Sequence, residues 1–389
     1  MTSEPGDSRT VPVRVAIDGN FLSLPHSGIG TYVRELSRAL EADREELGIE
    51  IGFLQPRPGR YFKRGTRRHR FAWDAVGISV AAISGRPRAS LLHLPQMSAP
   101  IVTPVPCVVT IHDTIPLVMP DYRATRAMQV YLALMARTAR HARRIIVPSR
   151  SASEDVQRVL GVARARITVI PEAASPDLVP DTTGTARMKA RRRFAIPGPY
   201  LFNIGGFDKR KNLPLLVEAF GAAVPSLPAG ATLVIAGAPH STNPRVFPPL
   251  EPVITRLGLG GKVLLTGQVS DDDRQLLYQG AVACATPSLH EGFGLTPLEA
   301  MACGTPAIVA NRTSLPEVVG DAGVVVEPEL DALAAAIVRI MTEVEYRNAL
   351  SQRSIERATL FSWKRAAEGT ADIYRTVVAE DRSQKRNGS

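Results

Sequence analysis

Apolar residues in the second half of the chain fall into short runs that alternate with segments of helical spacing. The runs lie at residues 200–204, 232–236, 263–266, 282–285, 307–310 and 324–326. Strands that alternate with helices in this way are typical of parallel sheets with helices on both faces. The second half is therefore predicted to form a doubly wound α/β domain.

The first half shows a similar pattern with longer gaps. Its predicted strands lie at residues 11–18, 49–54, 90–94, 107–111, 144–148 and 167–170. Helices are predicted after a glycine loop that contains Gly28 and Gly30, over residues 122–143, and over residues 154–160 behind a capping serine run. Residues 55–90 are rich in Arg, Gly and Pro, which predicts an irregular or partly helical insertion.

Chain length and proline content predict two domains and a linker. A chain of 389 residues is too long for one ordinary hydrophobic core. Prolines and a basic run mark residues 176–198 as the linker. We expect an N-terminal domain over residues 10–175, a C-terminal domain over residues 199–361, and disordered tails at 1–9 and 381–389.

The composition indicates a globular protein of the cytoplasm. No run of about 18 uninterrupted apolar residues occurs, so no membrane-spanning helix is expected. The N-terminal stretch MTSEPGDSRTVP lacks the apolar segment of a signal peptide. Cys107, Cys284 and Cys303 lie far apart in apolar surroundings, which favours reduced thiols over disulfides or a zinc site.

A formal net charge of +10 raises the question of an anionic partner. Basic residues are dense at residues 57–70 and in a second group, which consists of Arg123, Arg126, Arg137, Arg140, Arg143 and Arg144. Such clusters suit an anionic membrane at its inner face or a phosphate-bearing acceptor, and they also fit an arginine-rich solvated surface. Nucleic acid is disfavoured, because neither cluster carries the interleaved aromatic residues of a recognisable binding motif.

The densest candidate chemistry lies in residues 288–306, SLHEGFGLTPLEAMACGTP. Gly292 and Gly294 leave the backbone bare, so that amide groups there can approach a ligand. Thr296 as N-cap, with proline next and Glu299 three residues after the cap, predicts a helix start with a capping box. Amides at a helix start favour an anion, and neighbouring carboxylates suit hydroxyl groups. The pattern therefore predicts a ligand such as a nucleotide sugar.

Glu291 and Glu299, separated by seven residues, resemble the E-x7-E signature of retaining glycosyltransferases of family 4. The resemblance extends along almost the whole chain and implies the GT-B fold, in which two Rossmann-like α/β domains face each other across a cleft. It also implies that a helix at about residues 362–380 returns to complete the N-terminal domain. A simpler interpretation of the local string stays open, in which the glycines permit tight packing and Glu299 only closes the capping box.

Two further segments resemble the donor-binding loops of the family. In GGFDKRKNLPLLVEAF, Arg210 and Lys211 stand just before a predicted helix, where two cations would serve a phosphate. Lys211 aligns with the diphosphate-binding lysine of the family, whereas Gly206 occupies the usual arginine position, and we expect Arg210 to replace that arginine. The loop that ends in Val269 resembles the one that packs on the base of the donor.

The N-terminal domain is expected to supply the other wall of the cleft. His112 and Asp113 follow a predicted strand, where open α/β sheets bind ligands, and by default Asp113 would orient a structural histidine. The resemblance implies instead that His112 lies next to the donor sugar and that the loop with Gly28 and Gly30 faces the donor phosphates. Glu172 stands where the family usually has an asparagine-glycine turn, a departure that we expect to leave the chemistry unchanged.

The resemblance implies transfer of a sugar from a nucleoside diphosphate sugar to an acceptor hydroxyl, with retention at the anomeric carbon. The donor is expected to be GDP-mannose or a UDP-sugar, and the acceptor a glycan, a lipid-linked compound or a small molecule in glycan, glycolipid or polysaccharide biosynthesis. A front-face substitution through an oxocarbenium-like state is the expected mechanism. Asp271, Asp272 and Asp273 suit the first turn of a helix better than a metal ion. The resemblance likewise implies that no bound metal and no cofactor are needed.

The resemblance also assigns tasks to the candidate residues. Glu291 would hold the transferred sugar, Glu299 the ribose, and His112 the far side of the sugar. A group of cations and backbone amides would stabilise the leaving diphosphate, namely Lys211, Arg210, Phe293, Gly294 and Leu295. Two other functions stay open, a GT-B sugar-nucleotide epimerase and a non-catalytic protein that binds a sugar nucleotide.

Overall fold

The structure, a computed structural model, describes residues 12–23, 28–55, 71–84, 88–98, 100, 102–123, 125–239 and 243–387. Its strands are β1 Val13–Asp18, β2 Ile49–Leu54, β3 Leu91–Leu94, β4 Cys107–Thr110, β5 Arg144–Val147, β6 Ile167–Val169, β7 Tyr200–Ile204, β8 Thr232–Ala236, β9 Val263–Gly267, β10 Ala283–Thr286, β11 Ala307–Ala310 and β12 Val324–Val326. Its α-helices are α1 Gly28–Ala42, α2 Arg44–Leu47, α3 Ile78–Ser84, α4 Ile115–Val118, α5 Arg126–His141, α6 Arg150–Leu160, α7 Ala186–Arg193, α8 Leu213–Ala223, α9 Glu251–Arg256, α10 Asp271–Gly280, α11 Leu295–Ala302, α12 Leu315–Val319, α13 Leu330–Thr342, α14 Val344–Ala358 and α15 Trp363–Asn387.

The first six strands form a parallel sheet in the order β2-β1-β3-β4-β5-β6. Every residue of β3 and β4 is buried, as expected for a parallel sheet whose two faces are both covered by helices. Leu36 of α1 and Tyr374 of α15 belong to the cluster on one face, and Ala139 of α5 and Val156 of α6 belong to the cluster on the other. This sheet and its helices form the first domain.

The last six strands form a second parallel sheet in the order β12-β11-β10-β7-β8-β9. Leu216 of α8 and Ile337 of α13 pack on one face, and Ala190 of α7 and Leu277 of α10 on the other. The chain leaves β7 in one direction along the sheet and returns to its other side at β10. The two adjacent strands therefore mark a topological switch point, where α/β sheets open a ligand crevice.

The insertion ends in a helical segment that is anchored to β1. One π-helical turn, Trp73–Gly77, continues directly into α3. The indole of Trp73 donates a hydrogen bond of 2.9 Å to Asp18. A Cβ on Gly77 would lie 2.5 Å from the Trp73 ring, so glycine allows the ring to lie against its own helix. Residues 56–70 of the expected insertion lie outside the described residues.

The expected linker is partly helical. Residues Ala186–Arg193 form α7 instead of an irregular connection. Ala190 is wholly buried and packs in one cluster with Tyr200 and Tyr278. The basic run of the predicted linker is therefore a surface helix of the second domain, because its small apolar positions dock on that sheet.

The C-terminal helix also differs from the expectation. It packs on the first domain, but it continues to Asn387, so residues 381–387 are helical and not a disordered tail. Arg144 pairs with Glu380, and Arg143 lies 3.9 Å from Asp381, which ties this end of α15 to the first sheet. The expected N-terminal tail at residues 1–9 lies outside the described residues.

Two expectations from composition can be compared with the structure. Cys107, Cys284 and Cys303 are free and buried, and burial raises the pKa of each thiol to about 12. These thiols are therefore protonated and unreactive at neutral pH. No helix among the described residues combines the length and the apolar character that a membrane span requires.

Candidate active site

Two loops meet at the switch point of the second sheet. Arg210 and Lys211 belong to the loop after β7, and Glu291 belongs to the loop after β10. A hydrogen bond of 2.7 Å from the amide of Leu289 to the carbonyl of Arg210 joins the loops. Sequence reasoning placed both loops at strand ends, and the strand order brings them together.

Lys211 and Arg210 share one carboxylate. Lys211 Nζ lies 2.6 Å from Oε1 of Glu291, and the Arg210 guanidinium lies 2.7 Å from Oε2. Arg210 also contacts Asp208 at 2.9 Å. Burial opposes ionisation of Glu291, but the charges of Lys211 and Arg210 outweigh it and lower the pKa of Glu291 to about 2. The carboxylate is therefore charged at neutral pH and balances the cations within the protein.

This pairing changes the interpretation of Glu291. The sequence predicted two cations that need a phosphate and a separate carboxylate for sugar hydroxyls. In the structure they form one cluster, so a bound phosphate has to share Lys211 and Arg210 with Glu291. An ionised carboxylate accepts several hydrogen bonds, and Glu291 retains lone pairs for hydroxyl groups beside its two cations.

The glycine turn after β7 makes room for Lys211. Gly205 has a φ of +150°, and a Cβ there would lie 3.7 Å from Lys211 Nζ. The lysine side chain therefore lies over the turn. Gly206 has no side chain to offer, and Arg210 instead reaches the same carboxylate as Lys211. That Arg210 replaces the family's arginine in binding a diphosphate stays a prediction.

Helix α11 begins earlier than predicted, which overturns the expected capping box. Gly294 is the N-cap, with a φ of +123° that glycine tolerates, and the helix begins at Leu295. Thr296 is therefore a helical residue and not the cap. Glu299 lies too far into the helix to bond the cap amide, and its carboxylate instead contacts Arg274 at 3.1 Å and Tyr278 at 3.0 Å.

Glu299 is a buried group with specific partners from α10. Burial raises the pKa of its carboxyl above the ordinary value, although the charge of Arg274 and the Tyr278 hydroxyl act in the opposite direction. Sequence reasoning missed Arg274 and Tyr278, because a contact between two helices has no local sequence signal. The local alternative, in which Glu299 only closes a cap, is wrong. Val269 packs against the same cluster as Tyr278.

The loop before α11 presents amide groups. The Ser314 hydroxyl lies 3.0 Å from the carbonyl of Glu291 and also contacts that of Phe293, while the Glu291 amide donates to Thr313. Phe293 itself is buried against Phe361, with ring centroids 5.8 Å apart. Among the described residues, the amides of Phe293, Gly294 and Leu295 have no hydrogen-bond partner. These amides at a helix start suit an anion.

Gly292 lies against the first domain, a contact that the sequence did not predict. A Cβ on Gly292 would lie 1.7 Å from the carbonyl oxygen of His112. Ser149 donates a hydrogen bond of 2.6 Å to the Gly292 carbonyl, and Tyr122 donates one of 2.9 Å to Asp208. Glycine is needed here for the close approach of the two domains, in addition to any approach by a ligand.

His112 is held within the first domain. Its Nε2 donates to the carbonyl of Pro95 at 2.8 Å, and its Nδ1 lies 2.7 Å from Glu172. Burial lowers its pKa, but the charge and hydrogen bond of Glu172 outweigh burial and raise the pKa. Both ring nitrogens are therefore occupied, and the expected contact between His112 and the donor sugar would have to involve its backbone or the carbon atoms of its ring.

Glu172, and not Asp113, orients this histidine. Asp113 accepts a hydrogen bond of 3.0 Å from the amide of Ile115. Glu172 follows β6 at the sheet edge where His112 follows β4. The departure from the family's asparagine-glycine turn was therefore the signal for this residue, since a carboxylate at that strand end faces the neighbouring strand ends.

The glycines of the first domain are helical. Helix α1 begins at Gly28, so Gly28 and Gly30 lie in its first turn and not in a preceding loop. Tyr32 lies one turn further on, and its ring centroid is 4.7 Å from that of His112. Its hydroxyl forms a hydrogen bond of 2.9 Å with the hydroxyl of Thr110. The start of α1 thereby lies beside the strand ends of the first sheet.

Two of the three aspartates at the start of α10 form ion pairs within the protein. Ser270 caps the helix by accepting from the amide of Asp273 at 3.1 Å. Asp273 pairs with Arg193 and Asp271 with Arg274. Across the residues described, no group of three or more His, Cys, Asp or Glu side chains is arranged to hold a metal ion.

Two family models match this chain. The model described as Glycosyltransferase Family 4 matches residues 26–178, and the one described as Glycosyl transferases group 1 matches residues 187–357. O-antigen chain mannosyltransferase B of Escherichia coli is 28% identical over 271 residues, which are 69% of this chain and 70% of the relative. The two models between them cover every strand of both sheets except β1.

Solved structures show the same fold. Sucrose-phosphate synthase from Thermosynechococcus elongatus is 21% identical and has a TM-score of 0.73, with 95% of this chain and 100% of that chain covered. Anabaena Alr3699/HepE in complex with UDP-glucose is 18% identical and has a TM-score of 0.68, with coverage of 95% and 99%. The predicted arrangement of two Rossmann-like sheets is confirmed. The chain is a glycosyltransferase of family 4 with the GT-B fold.

Proposed function

We propose that this glycosyltransferase moves a sugar from a nucleoside diphosphate sugar to an acceptor hydroxyl with retention at the anomeric carbon. The observation that supports this most is the cluster of Lys211, Arg210 and Glu291 at the switch point, beside the amides of Phe293, Gly294 and Leu295 at the start of α11. The leaving diphosphate gains negative charge as its bond to the sugar breaks. Preorganised cations and amides stabilise such charge without reorganisation.

The proposed step is a front-face substitution. The bond between the anomeric carbon and the diphosphate oxygen breaks, the acceptor oxygen bonds to the same face of that carbon, and the acceptor proton passes to the leaving oxygen. Glu291 already holds two cations and Glu299 faces Arg274 and Tyr278, so neither carboxylate is proposed as a covalent nucleophile. Because side chains supply the positive charge, the proposal requires no protein-bound metal ion and no cofactor.

The donor and acceptor are proposed from the relatives. The O-antigen chain mannosyltransferase supports a mannosyl donor and a glycan acceptor, and we propose GDP-mannose as that donor. The UDP-glucose complex of Alr3699/HepE supports a UDP-sugar as the second candidate. A lipid-linked or small-molecule hydroxyl is the further acceptor class, and the cytoplasm, where nucleotide sugars are available, is the proposed location.

A donor screen followed by product analysis tests this proposal. A donor present at 100 times its Kd is expected to stabilise the protein by about 2.7 kcal/mol, which a thermal shift detects. The selected donor is then incubated with acceptor, with and without EDTA, and the product is examined by NMR. Retained anomeric configuration is expected in both cases. An inverted product contradicts the retaining mechanism, loss of activity with EDTA contradicts metal independence, and an epimerised nucleotide sugar contradicts transfer.

Glu299→Gln is expected to weaken donor binding about tenfold, because an amide replaces charge-assisted hydrogen bonds to the ribose by neutral ones. The amide still fits beside Arg274 and Tyr278. Donor Kd is measured by calorimetry beside the melting temperature, and Glu329→Gln on an exposed position serves as the control. A lower melting temperature with unchanged donor Kd would mean that Glu299 serves only Arg274 and Tyr278.

We also propose that the first domain contacts an anionic membrane, although the structure changes which residues would do so. Residues 57–70 lie outside the described residues, while Arg140 donates to the Leu160 carbonyl and Arg143 and Arg144 hold α15. Arg126, Arg137, Arg140 and Arg143 are exposed. Exposed apolar side chains also lie on the segment Trp73–Ser84 and on α5, namely Val76 51%, Val80 56%, Ile83 59% and Val130 60%.

Binding to vesicles is expected to require acidic lipids and to fade with salt, because charge brings the surface to the membrane before the apolar side chains insert. Val80→Glu should abolish cosedimentation at low salt. Val344→Glu is the matched control, since Val344 on the second domain is 53% exposed. Equal binding to neutral vesicles, or equal loss in both variants, would leave this face an ordinary solvated surface.

A further inference from the structure

A cavity lies on the side of the second sheet that faces away from the cleft. Its volume is about 450 Å³, and Val282 and Pro306, which precede β10 and β11, form part of its lining. The active site lies at the other ends of these strands. Asp181 and Arg187 form one wall of the cavity, and Arg347 and Ser351 of α14 form the opposite wall.

The charges in this cavity are unbalanced. Arg187 and Arg347 line the same space, and burial together with the charge of Arg187 lowers the pKa of Arg347. The carboxylate of Asp181 accepts hydrogen bonds from the Thr183 hydroxyl at 2.6 Å and from the Ala186 amide at 2.7 Å. Within the residues that the structure describes, neither arginine forms a salt bridge. Two permanent positive charges therefore face the cavity against the one negative charge of Asp181, so a net positive charge remains there.

The positive surface continues beyond the cavity. A neighbouring depression of about 480 Å³ shares Gly184 and Arg187 with it and is lined further by Arg191 and Arg192. The helix that carries these residues, α7, has the sequence ARMKARRR and contains no acidic residue. An anion that approaches this side of the molecule is therefore attracted along the helix toward Arg187 and Arg347.

The rest of the wall is uncharged and mixes polar side chains with apolar ones such as Val282 and Ile355. It includes Gln279, Thr305 and Ser351, and it is closed by the C-terminal ends of α10 and α11. Ser351 bonds the carbonyl of Gly304 at 2.5 Å, and Thr305 bonds the carbonyl of Tyr278 at 2.6 Å. Carbonyls and side-chain amides are partners for hydroxyl groups, whereas the arginines are partners for a phosphate.

We propose that this cavity binds a phosphate monoester of a polyhydroxy compound, such as a sugar phosphate. Arg187 and Arg347 bind its phosphate, and the polar wall below α10 and α11 receives its hydroxyl groups. The site is distinct from the donor site, because the sheet separates it from Lys211. It does not depend on which nucleotide sugar the enzyme uses.

Calorimetric titration with mannose 6-phosphate at constant ionic strength tests the proposal. Saturable binding to one site is expected, and Arg187→Ala and Arg347→Gln are each expected to weaken it between about tenfold and a hundredfold, the effect of losing a hydrogen bond to a charged group. Lys189→Ala removes a charge from the same helix outside the cavity and should change the Kd by less than about fivefold. Uncharged mannose should not bind.

The controls distinguish this cavity from the donor cleft and from diffuse attraction to α7. Loss of binding in Lys211→Ala with full binding in Arg187→Ala would place the ligand in the donor cleft and overturn the proposal. Equal weakening by Lys189→Ala would show diffuse attraction, and no saturable binding at all would also overturn it. Arg347 donates to the carbonyl of Ile340 at 3.3 Å, so its variant is checked by melting temperature, while Arg187 is exposed and its replacement leaves the fold intact.

Discussion

Replacing Lys211 by alanine is expected to lower the turnover number by a factor on the order of 10² to 10³, the usual effect of losing one preorganised contact with a developing charge. Lys211 Nζ is fixed 2.6 Å from Glu291, beside the position that we propose for the leaving diphosphate. The variant removes this charge but leaves Arg210 on the same carboxylate, so the fold should persist. The measurement is kcat and KM with the selected donor, beside the melting temperature.

The matched control for Lys211 is Lys262→Ala. Lys262 is exposed on the same domain, and its removal changes the net charge by the same amount. It should leave turnover almost unchanged. A Lys211→Ala enzyme with native turnover and native melting temperature would exclude the lysine from the mechanism, whereas a raised KM with unchanged kcat would assign it to ground-state binding of the donor.

Gly292→Ala is expected to lower kcat/KM by about two orders of magnitude, the effect of displacing reacting groups by roughly 1 Å. The new Cβ would lie 1.7 Å from the carbonyl oxygen of His112, so the loop and the first domain must separate. The obstacle is backbone and not a flexible side chain, and it cannot rotate away. Kinetics and small-angle scattering, which detects a wider cleft, measure the two consequences.

Gly260→Ala provides the control for this substitution. Gly260 lies in the second domain, and a Cβ there meets no atom within 4 Å. It should leave activity and scattering at native values. If Gly292→Ala has native kcat/KM, the contact between this loop and His112 is not part of the catalytically competent arrangement. The domains would then work at a wider separation.

The strands of the second domain could be predicted from the sequence because they are buried on both faces of the sheet. Tyr200–Ile204, Thr232–Ala236 and Ala307–Ala310 are covered on both faces, and burial on both sides leaves an uninterrupted apolar run. The start of α11 was predicted two residues late, because Thr296 and Pro297 look like a cap and a first helical position. The structure uses Gly294 instead, since its positive φ turns the chain into the helix.

Only part of the candidate site could be predicted from the sequence. Groups that lie close together in the chain were predicted, and contacts between distant parts of the chain were not. Arg210 and Lys211 stand together in one loop, so their placement beside a helix start could be inferred. Their pairing with Glu291, by contrast, joins loops that are 80 residues apart. The pairing of His112 with Glu172 depends likewise on strand order. The amino-acid composition carries no information on the order of the strands in a sheet.

Helix α15 makes the first domain depend on the end of the chain. Trp363, Ala367 and Tyr374 belong to the same buried cluster as Val15 and Ile17 of β1. During synthesis, the first sheet leaves the ribosome long before this helix exists, so the apolar face under α15 stays exposed to water until the second domain has been synthesised. Domains generally fold as units, N-terminal first, whereas here the first domain to emerge is the last to be finished. A ribosome that stalls within the second domain therefore leaves a nascent chain with an uncovered hydrophobic face, and such a chain needs a chaperone.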